Sequence, residues 1–94
     1  MAIRSIKHKG LRGLYEDDDR RGARADHADK LRDMLQALDA AVTVDEVARV
    51  PGWRLHPLKG GLRGFWSVTV RANWRIIFRF EGADAFDVEL IDYH

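Results

Sequence analysis

The chain closes on Asp92-Tyr93-His94, a carboxylate, a phenol and an imidazole in succession. They follow the alternation Phe86-Asp87-Val88-Glu89-Leu90-Ile91, so a strand is expected to hold them. All three side chains can donate or accept a proton, and histidine titrates near neutral pH. A second imidazole, His56, precedes Pro57, with the Lys59 ammonium just beyond it in a glycine-rich loop and the Arg75 guanidinium at the start of a later strand. Proton-transfer groups beside cations suit acid–base chemistry on a polyanion. Metal-free RNA cleavage requires such a set: a base for the ribose 2′-hydroxyl, an acid for the departing 5′-oxygen, and cations for the phosphorane charge. The attacking 2′-hydroxyl would restrict the reaction to RNA.

Other chemistries find less support. His8, His27, His56 and His94 show no HxH or HxxxH spacing, and the chain has no cysteine, so no metal site is expected. No serine, lysine or cysteine stands out as a covalent nucleophile. The triplet Asp17-Asp18-Asp19 lacks a defined ligand loop and reads as a solvated connection.

With 94 residues the chain is expected to form one domain, residues 1–94, around one modest core. Apolar residues make up 46% and charged residues 33%, an ordinary globular balance. The absence of cysteine fits a reducing cytosol, and no signal core or membrane-length apolar run is present, so a soluble cytoplasmic protein is expected. The net charge of +1 conceals a segregation. No acid occurs from Val47 to Phe80, a stretch containing Arg49, Arg54, Lys59, Arg63, Arg71, Arg75 and Arg79, whereas most acids fall between Glu16 and Glu46. A basic surface for a polyanion, with a separate acidic face, would produce this pattern. Pairing of each arginine with a distant acid would produce it equally well.

The elements that must position these groups follow from periodicity. Ile3 to Lys7 reads as a short strand and His8 to Glu16 as a short helix with Leu11, Leu14 and Tyr15 on one stripe. Ala28, Leu31, Met34, Leu35, Leu38 and Ala41 recur at helical spacing within 25–41, which predicts an amphipathic helix with His27 on its solvated face. Thr43-Val44-Asp45-Glu46 has the form of a capping box for one more helical turn, ended by Pro51-Gly52. Phe65–Val70, Arg75–Glu81 and Ala85–Ile91 alternate as strands, and Arg54-Leu55-His56 reads as another short one. Trp66, Val68, Val70, Ile76, Phe78, Phe80, Phe86, Val88 and Leu90 should face helices on one side of an antiparallel sheet, an α+β architecture.

Inward residues must oppose inward residues, so paired indices should sum to an even number. Three-residue turns at Gly82-Ala83-Asp84 and Ala72-Asn73-Trp74 satisfy this, pairing Glu81 with Ala85, Arg79 with Asp87, Arg75 with Ile91 and Arg71 with Arg75. The opposite face then carries Ser67, Thr69, Arg75, Ile77, Arg79, Asp87 and Glu89, with Arg54 and His56 alongside. Asp87 accounts for Arg79 as a cross-strand pair, whereas Arg75 has no acid opposite and lies near the emerging Asp92-Tyr93-His94.

The segments Arg54-Leu55-His56-Pro57-Leu58-Lys59-Gly60, Trp66-Ser67-Val68, Asn73-Trp74-Arg75-Ile76 and Asp92-Tyr93-His94, with Ile6-Lys7-His8-Lys9-Gly10-Leu11 near the start, resemble the HigB toxins of the RelE/ParE superfamily. The resemblance spans nearly the whole chain. It implies a compact RelE-like α+β fold, a mainly antiparallel twisted sheet with two N-terminal helices packed on one face. It implies the toxin of a type II toxin–antitoxin module, an mRNA interferase that cuts mRNA in the ribosomal A site without a cofactor. The implied partner is a HigA-type helix-turn-helix antitoxin, through which alone the toxin would reach operator DNA. By motif match, His56, Asp92, Tyr93 and His94 fall on the active-site positions, with Lys59 and Arg75 as phosphate or transition-state contacts. Arg54, Arg63 and Arg71 are candidate contacts to RNA or ribosome. Two alternatives remain at this point: a ParE-like gyrase inhibitor without enzymatic activity, and a nucleic-acid-binding module of the same fold.

Overall fold

The computed structural model describes residues 2–93. Helix α1 spans Lys9–Asp17, α2 Ala28–Ala40 and α3 Val44–Ala48, and strands β1 His56–Pro57, β2 Trp66–Arg71, β3 Trp74–Glu81 and β4 Asp84–Asp92 follow. The strands form one antiparallel sheet in chain order.

Helices α1 and α3 start where a side chain satisfies a backbone donor that has no partner within the helix, whereas α2 has no side-chain cap. His8 Nδ1 accepts from Leu11 N–H at 3.2 Å at the head of α1. Thr43 Oγ1 accepts from Glu46 N–H at 3.3 Å, and the Glu46 carboxylate takes Val42 N–H at 2.9 Å, one residue before the donor that a capping box would offer. The helices bury Leu11, Leu14, Leu31, Met34, Leu35, Leu38 and Val47 against Val68, Val70, Ile76, Phe78, Ala85 and Val88 of the sheet. Ile3 to Lys7 does not form a full strand. It lies parallel to β4 through bridges at Ile3–Ala85 and Ile6–Val88, and its hydrogen bonds cover that edge of the sheet.

The loop between α1 and α2 crosses α1 at backbone contact. A methyl group at Gly10 would lie 2.1 Å from Gly22 O, so nothing larger than hydrogen fits unless the loop moves. Gly10→Ala should therefore destabilise the protein by about 1–3 kcal/mol in urea unfolding. Gly61→Ala, where the added carbon meets nothing within 4 Å, should stay within about 0.5 kcal/mol of wild type.

The hairpins differ from the parity expectation. Both turn in two residues, pairing Arg71 with Trp74 and Glu81 with Asp84 rather than Arg71 with Arg75 and Glu81 with Ala85. Ala72, in the first turn, takes a left-handed φ of 50°. Each ladder returns to even parity through a bulge: an extra residue at Val70 on β2, and one beside Asp87 on β4, where φ is 54°. Beyond the bulges Thr69 faces Arg75 and Arg75 faces Ile91, the latter as expected. Phe86 is the residue displaced. It pairs with Arg79 and takes no part in the core, where Ala85 and Val88 stand in its place.

His27 also departs from expectation. It is buried to 3% exposure rather than solvated, because at the N-cap of α2, four residues before Leu31, it continues the buried stripe and packs on Trp74. Its Nδ1 is buried without a hydrogen bond among the described residues.

Candidate active site

The face of the sheet turned away from the helices can be followed row by row. His56 on β1 pairs with Ser67, Ser67 with Ile77, and Ile77 with Glu89. The next row on the same face is Thr69, Arg75 and Ile91, with Trp53 O accepting from Thr69 N–H at 2.7 Å on the β1 side. On the other flank, Phe86 and Arg79 pair, and the Arg79 guanidinium lies 5.9 Å from the Phe65 ring centroid. The middle of this face is not open, contrary to expectation: Ser67 is 1% and Ile77 3% exposed. The middle of this face is thus packed, with exposed groups towards its edges.

His56 stands exposed on the edge strand β1. The strand expected over Arg54-Leu55-His56 begins only at His56, because Arg54 takes a left-handed φ of 51° and turns the chain there. His56 Nδ1 lies 3.0 Å from Arg54 O. With Nδ1–H donating to that carbonyl, Nε2 is the nitrogen left for proton exchange. Lys59 is exposed at the head of a single 3₁₀ turn, Gly60–Leu62, and Arg63 is exposed where that turn closes. Positive φ at Gly60 and Gly64, of 65° and 95°, lets the loop fold back so that Leu58 N–H reaches Phe65 O at 2.9 Å.

Arg75 is the best-held cation of the set. Its Nη1 donates to Ala72 O at 2.6 Å and to Trp74 O at 3.2 Å, and its Nε is buried without a partner. It forms no ion pair among the described residues, whereas Arg79 is bound to Asp87 at 2.7 Å and Arg71 lies 3.7 Å from Asp26. Turn carbonyls thus orient the Arg75 guanidinium while no carboxylate among the described residues pairs with it, which suits an incoming anion. The Arg79–Asp87 pair agrees with the expectation from cross-strand alternation, although the bulge makes Phe86 the formal partner. Arg71 and Arg54 are exposed at the edges of the face.

Asp92 closes β4 opposite Trp74, and Tyr93 N–H donates to Asn73 O at 2.7 Å, with its ring 45% exposed. Ladder spacing puts the Arg75 and Tyr93 backbones about 8 Å apart and those of His56 and Arg75 about 12 Å apart. His56, Arg75 and Tyr93 therefore share a face without touching, spaced to meet different atoms of one substrate. His94 lies outside the described residues.

Two residues here escape a reading of the sequence alone. Asn73, an ordinary turn residue by type, fixes the Tyr93 backbone. His27 packs on Trp74 with ring centroids 6.0 Å apart, and its position four residues before Leu31 extends the apolar stripe of α2, a signal that was available in the sequence. Hollows of about 830 and 630 Å³ lie beside α1 and α2, lined by residues such as Arg12, Glu16, Asp19, Arg32 and Asp39, and share no residue with the face that carries His56 and Arg75. Arg21 holds the Asp19 carboxyl there at about 2, chiefly through its side-chain hydrogen bonds. Among the described residues no three acids or histidines gather as a metal cage, and no helix is long and apolar enough to cross a membrane.

Comparison with known proteins places these observations in a family. Residues 4–94 match the family described as RelE-like toxin of type II toxin-antitoxin system HigB. A Proteus vulgaris protein named endoribonuclease HigB is 48% identical over 92 residues, covering 98% of this chain and 99% of the relative. Toxin HigB-1 of Vibrio cholerae is 34% identical over 86 residues, covering 90% of each chain. Among solved structures, YafQ from Escherichia coli superposes with a TM-score of 0.59 at 14% identity, covering 93% of this chain and 86% of YafQ. The YoeB/ParE toxin from Agrobacterium tumefaciens gives a TM-score of 0.56 at 17% identity, with 100% and 99% of the two chains covered. These last two likenesses speak to the fold.

Proposed function

The chain belongs to the HigB-like family of RelE-like toxins of type II toxin–antitoxin systems, and from that premise we propose that it is an endoribonuclease that cuts mRNA in the ribosomal A site. The observation that carries the reading is the convergence of His56, Arg75 and Tyr93 on one face of the sheet, with the Arg75 charge unpaired among the described residues. The name of the Proteus vulgaris relative supports the activity.

In this mechanism Asp92 or His94 takes the proton from a ribose 2′-hydroxyl. The oxygen attacks the adjacent phosphorus, and the bond to the 5′-oxygen breaks as His56 protonates it, leaving a 2′,3′-cyclic phosphate and a 5′-hydroxyl. Arg75 and Lys59 hold the non-bridging oxygens as charge builds on the phosphorane. Tyr93 stacks on or orients the nucleotide, using its exposed ring. The exposed Arg54, Arg63 and Arg71 supply non-specific contacts to phosphates of mRNA or ribosome. No cofactor enters the scheme. A HigA-type helix-turn-helix antitoxin restrains the toxin in the cytoplasm, and the pair represses its own operon.

His56, Lys59, Asp92 and Tyr93 are exposed and set apart along this face, so a substrate held by the ribosome supplies the orientation that the toxin alone lacks, a factor that pre-organisation can make worth about 7–11 kcal/mol. Purified protein should cut mRNA programmed on ribosomes and leave the same naked mRNA intact over the same time. Equal cutting of both would refute ribosome dependence.

A further inference from the structure

The β2–β3 turn carries more than its own residues. Ala72 O and Trp74 O bind Arg75, and Asn73 O binds the Tyr93 backbone, so two groups of the proposed site take their positions from one short turn. That turn is strained at Ala72, whose left-handed φ of 50° is unfavourable for a residue with a side chain. Strained turns persist only where their surroundings over-determine them.

The surroundings are at the start of α2. The His27 and Trp74 rings pack in a T-shaped arrangement with centroids 6.0 Å apart, and the Arg24 guanidinium lies 5.9 Å from the centroid of the same indole. Asp26 pairs with Arg24 at 3.2 Å and lies 3.7 Å from Arg71, the residue that opens the turn. His27 Nε2 is 3.9 Å from Asp26, too far for a hydrogen bond, and Nδ1 has none among the described residues. The ring is thus placed chiefly by packing. A buried Nδ1 without a hydrogen bond among the described residues is an unusual choice where leucine would fill the slot with no unsatisfied nitrogen. Its shape and edge charge on Trp74 are what leucine lacks.

We infer that His27 is a positioning residue for RNA cleavage: with Trp74 it clamps the β2–β3 turn, and through the turn it sets the Arg75 guanidinium and the Tyr93 backbone. The inference rests on the proposed endoribonuclease activity for its kinetic consequence, and on geometry alone for its structural one. His27 touches no substrate; it acts through Trp74.

Two variants test it, both with apolar side chains suited to a buried slot. His27→Leu should fold, yet lower kcat on ribosome-bound mRNA by about tenfold with KM within about twofold, since orientation and not affinity is lost. In amide hydrogen exchange measured by NMR, the Tyr93 amide should exchange about tenfold faster while the Phe78 amide in the core of β3 is unchanged. His27→Phe, which restores an aromatic edge to Trp74, should return both readouts toward wild type. Unchanged kcat and Tyr93 exchange in folded His27→Leu would overturn the inference, as would failure of both variants to fold, which would make His27 a plain core residue. If wild-type protein cuts no ribosome-bound mRNA, the activity reading falls while the exchange measurement still decides the clamp.

Discussion

Replacing His56 with alanine is expected to slow cleavage of ribosome-bound mRNA by about 100- to 10,000-fold, the range that a positioned general acid contributes. The loss should fall on kcat rather than KM, because the imidazole works on the departing oxygen and contributes little to ground-state binding. Stability should hardly change: His56 is exposed, and its one described hydrogen bond is to the neighbouring Arg54 carbonyl. His94→Ala should reduce cutting on a similar scale if the imidazole is the base, and Arg71→Ala much less, since Arg71 lies at the edge of the face beside Asp26. A module that merely binds nucleic acid through total charge would lose RNA binding at Arg71 and show no special loss at His56 or His94. A gyrase inhibitor of the ParE kind would show no cutting to lose. Rates for the three variants, with circular dichroism as the control for folding, separate these cases.

Arg75→Gln should cost about 100- to 1,000-fold in kcat, the effect typical of removing one preorganised donor from a developing oxyanion. The argument lies in how the side chain is held. Ala72 O and Trp74 O take its Nη1, no carboxylate among the described residues neutralises it, and Thr69 and Ile91 flank it on the ladder. Arg75→Lys should recover only part of the loss, because an ammonium on a flexible stem cannot bind the turn carbonyls and present a second donor in the same fixed plane. Recovery of full activity by lysine would mean that Arg75 contributes only a point charge. The measurement is single-turnover cleavage, which keeps chemistry apart from product release.

The helices were legible because one buried face imposes a three- and four-residue spacing that few other arrangements share, as Leu31, Leu35 and Leu38 show. The strands and their antiparallel order were legible for the same reason at a period of two. Arg75 beside Ile91 and Arg79 on Asp87 both held. What parity could not reveal was how the ladders reach that register. Two-residue turns with compensating bulges at Val70 and Asp87 give the same parity further along as three-residue turns without bulges. Nothing at Ala72 or Asp87 announces a left-handed φ in the way glycine would. Phe86 was misplaced in consequence, and Thr69 lies beside Arg75 where parity alone had set Arg71, a pairing of like charges that the true register avoids.

The candidate site was legible only as residue types: His56, Lys59, Arg75 and Asp92-Tyr93-His94 stand out by chemistry and by family likeness, His94 lying outside the described residues. Their supports were not. The left-handed Arg54 that presents His56, the turn carbonyls that orient Arg75, and the Asn73 carbonyl that anchors Tyr93 are backbone features, invisible to a pattern of side chains. His27 was hidden by habit of type: polar residues usually face water, and only its spacing from Leu31 betrays the buried stripe.

The central claim is that this face of the sheet drives attack by a ribose 2′-hydroxyl. Its most direct test is an mRNA on the ribosome carrying a single 2′-deoxynucleotide at the cleaved position, compared with the all-ribose message. The mechanism predicts that the substituted message binds and stays whole, while the ribose message is cut to a 2′,3′-cyclic phosphate end. Cutting of the deoxy-substituted position at an undiminished rate would contradict it.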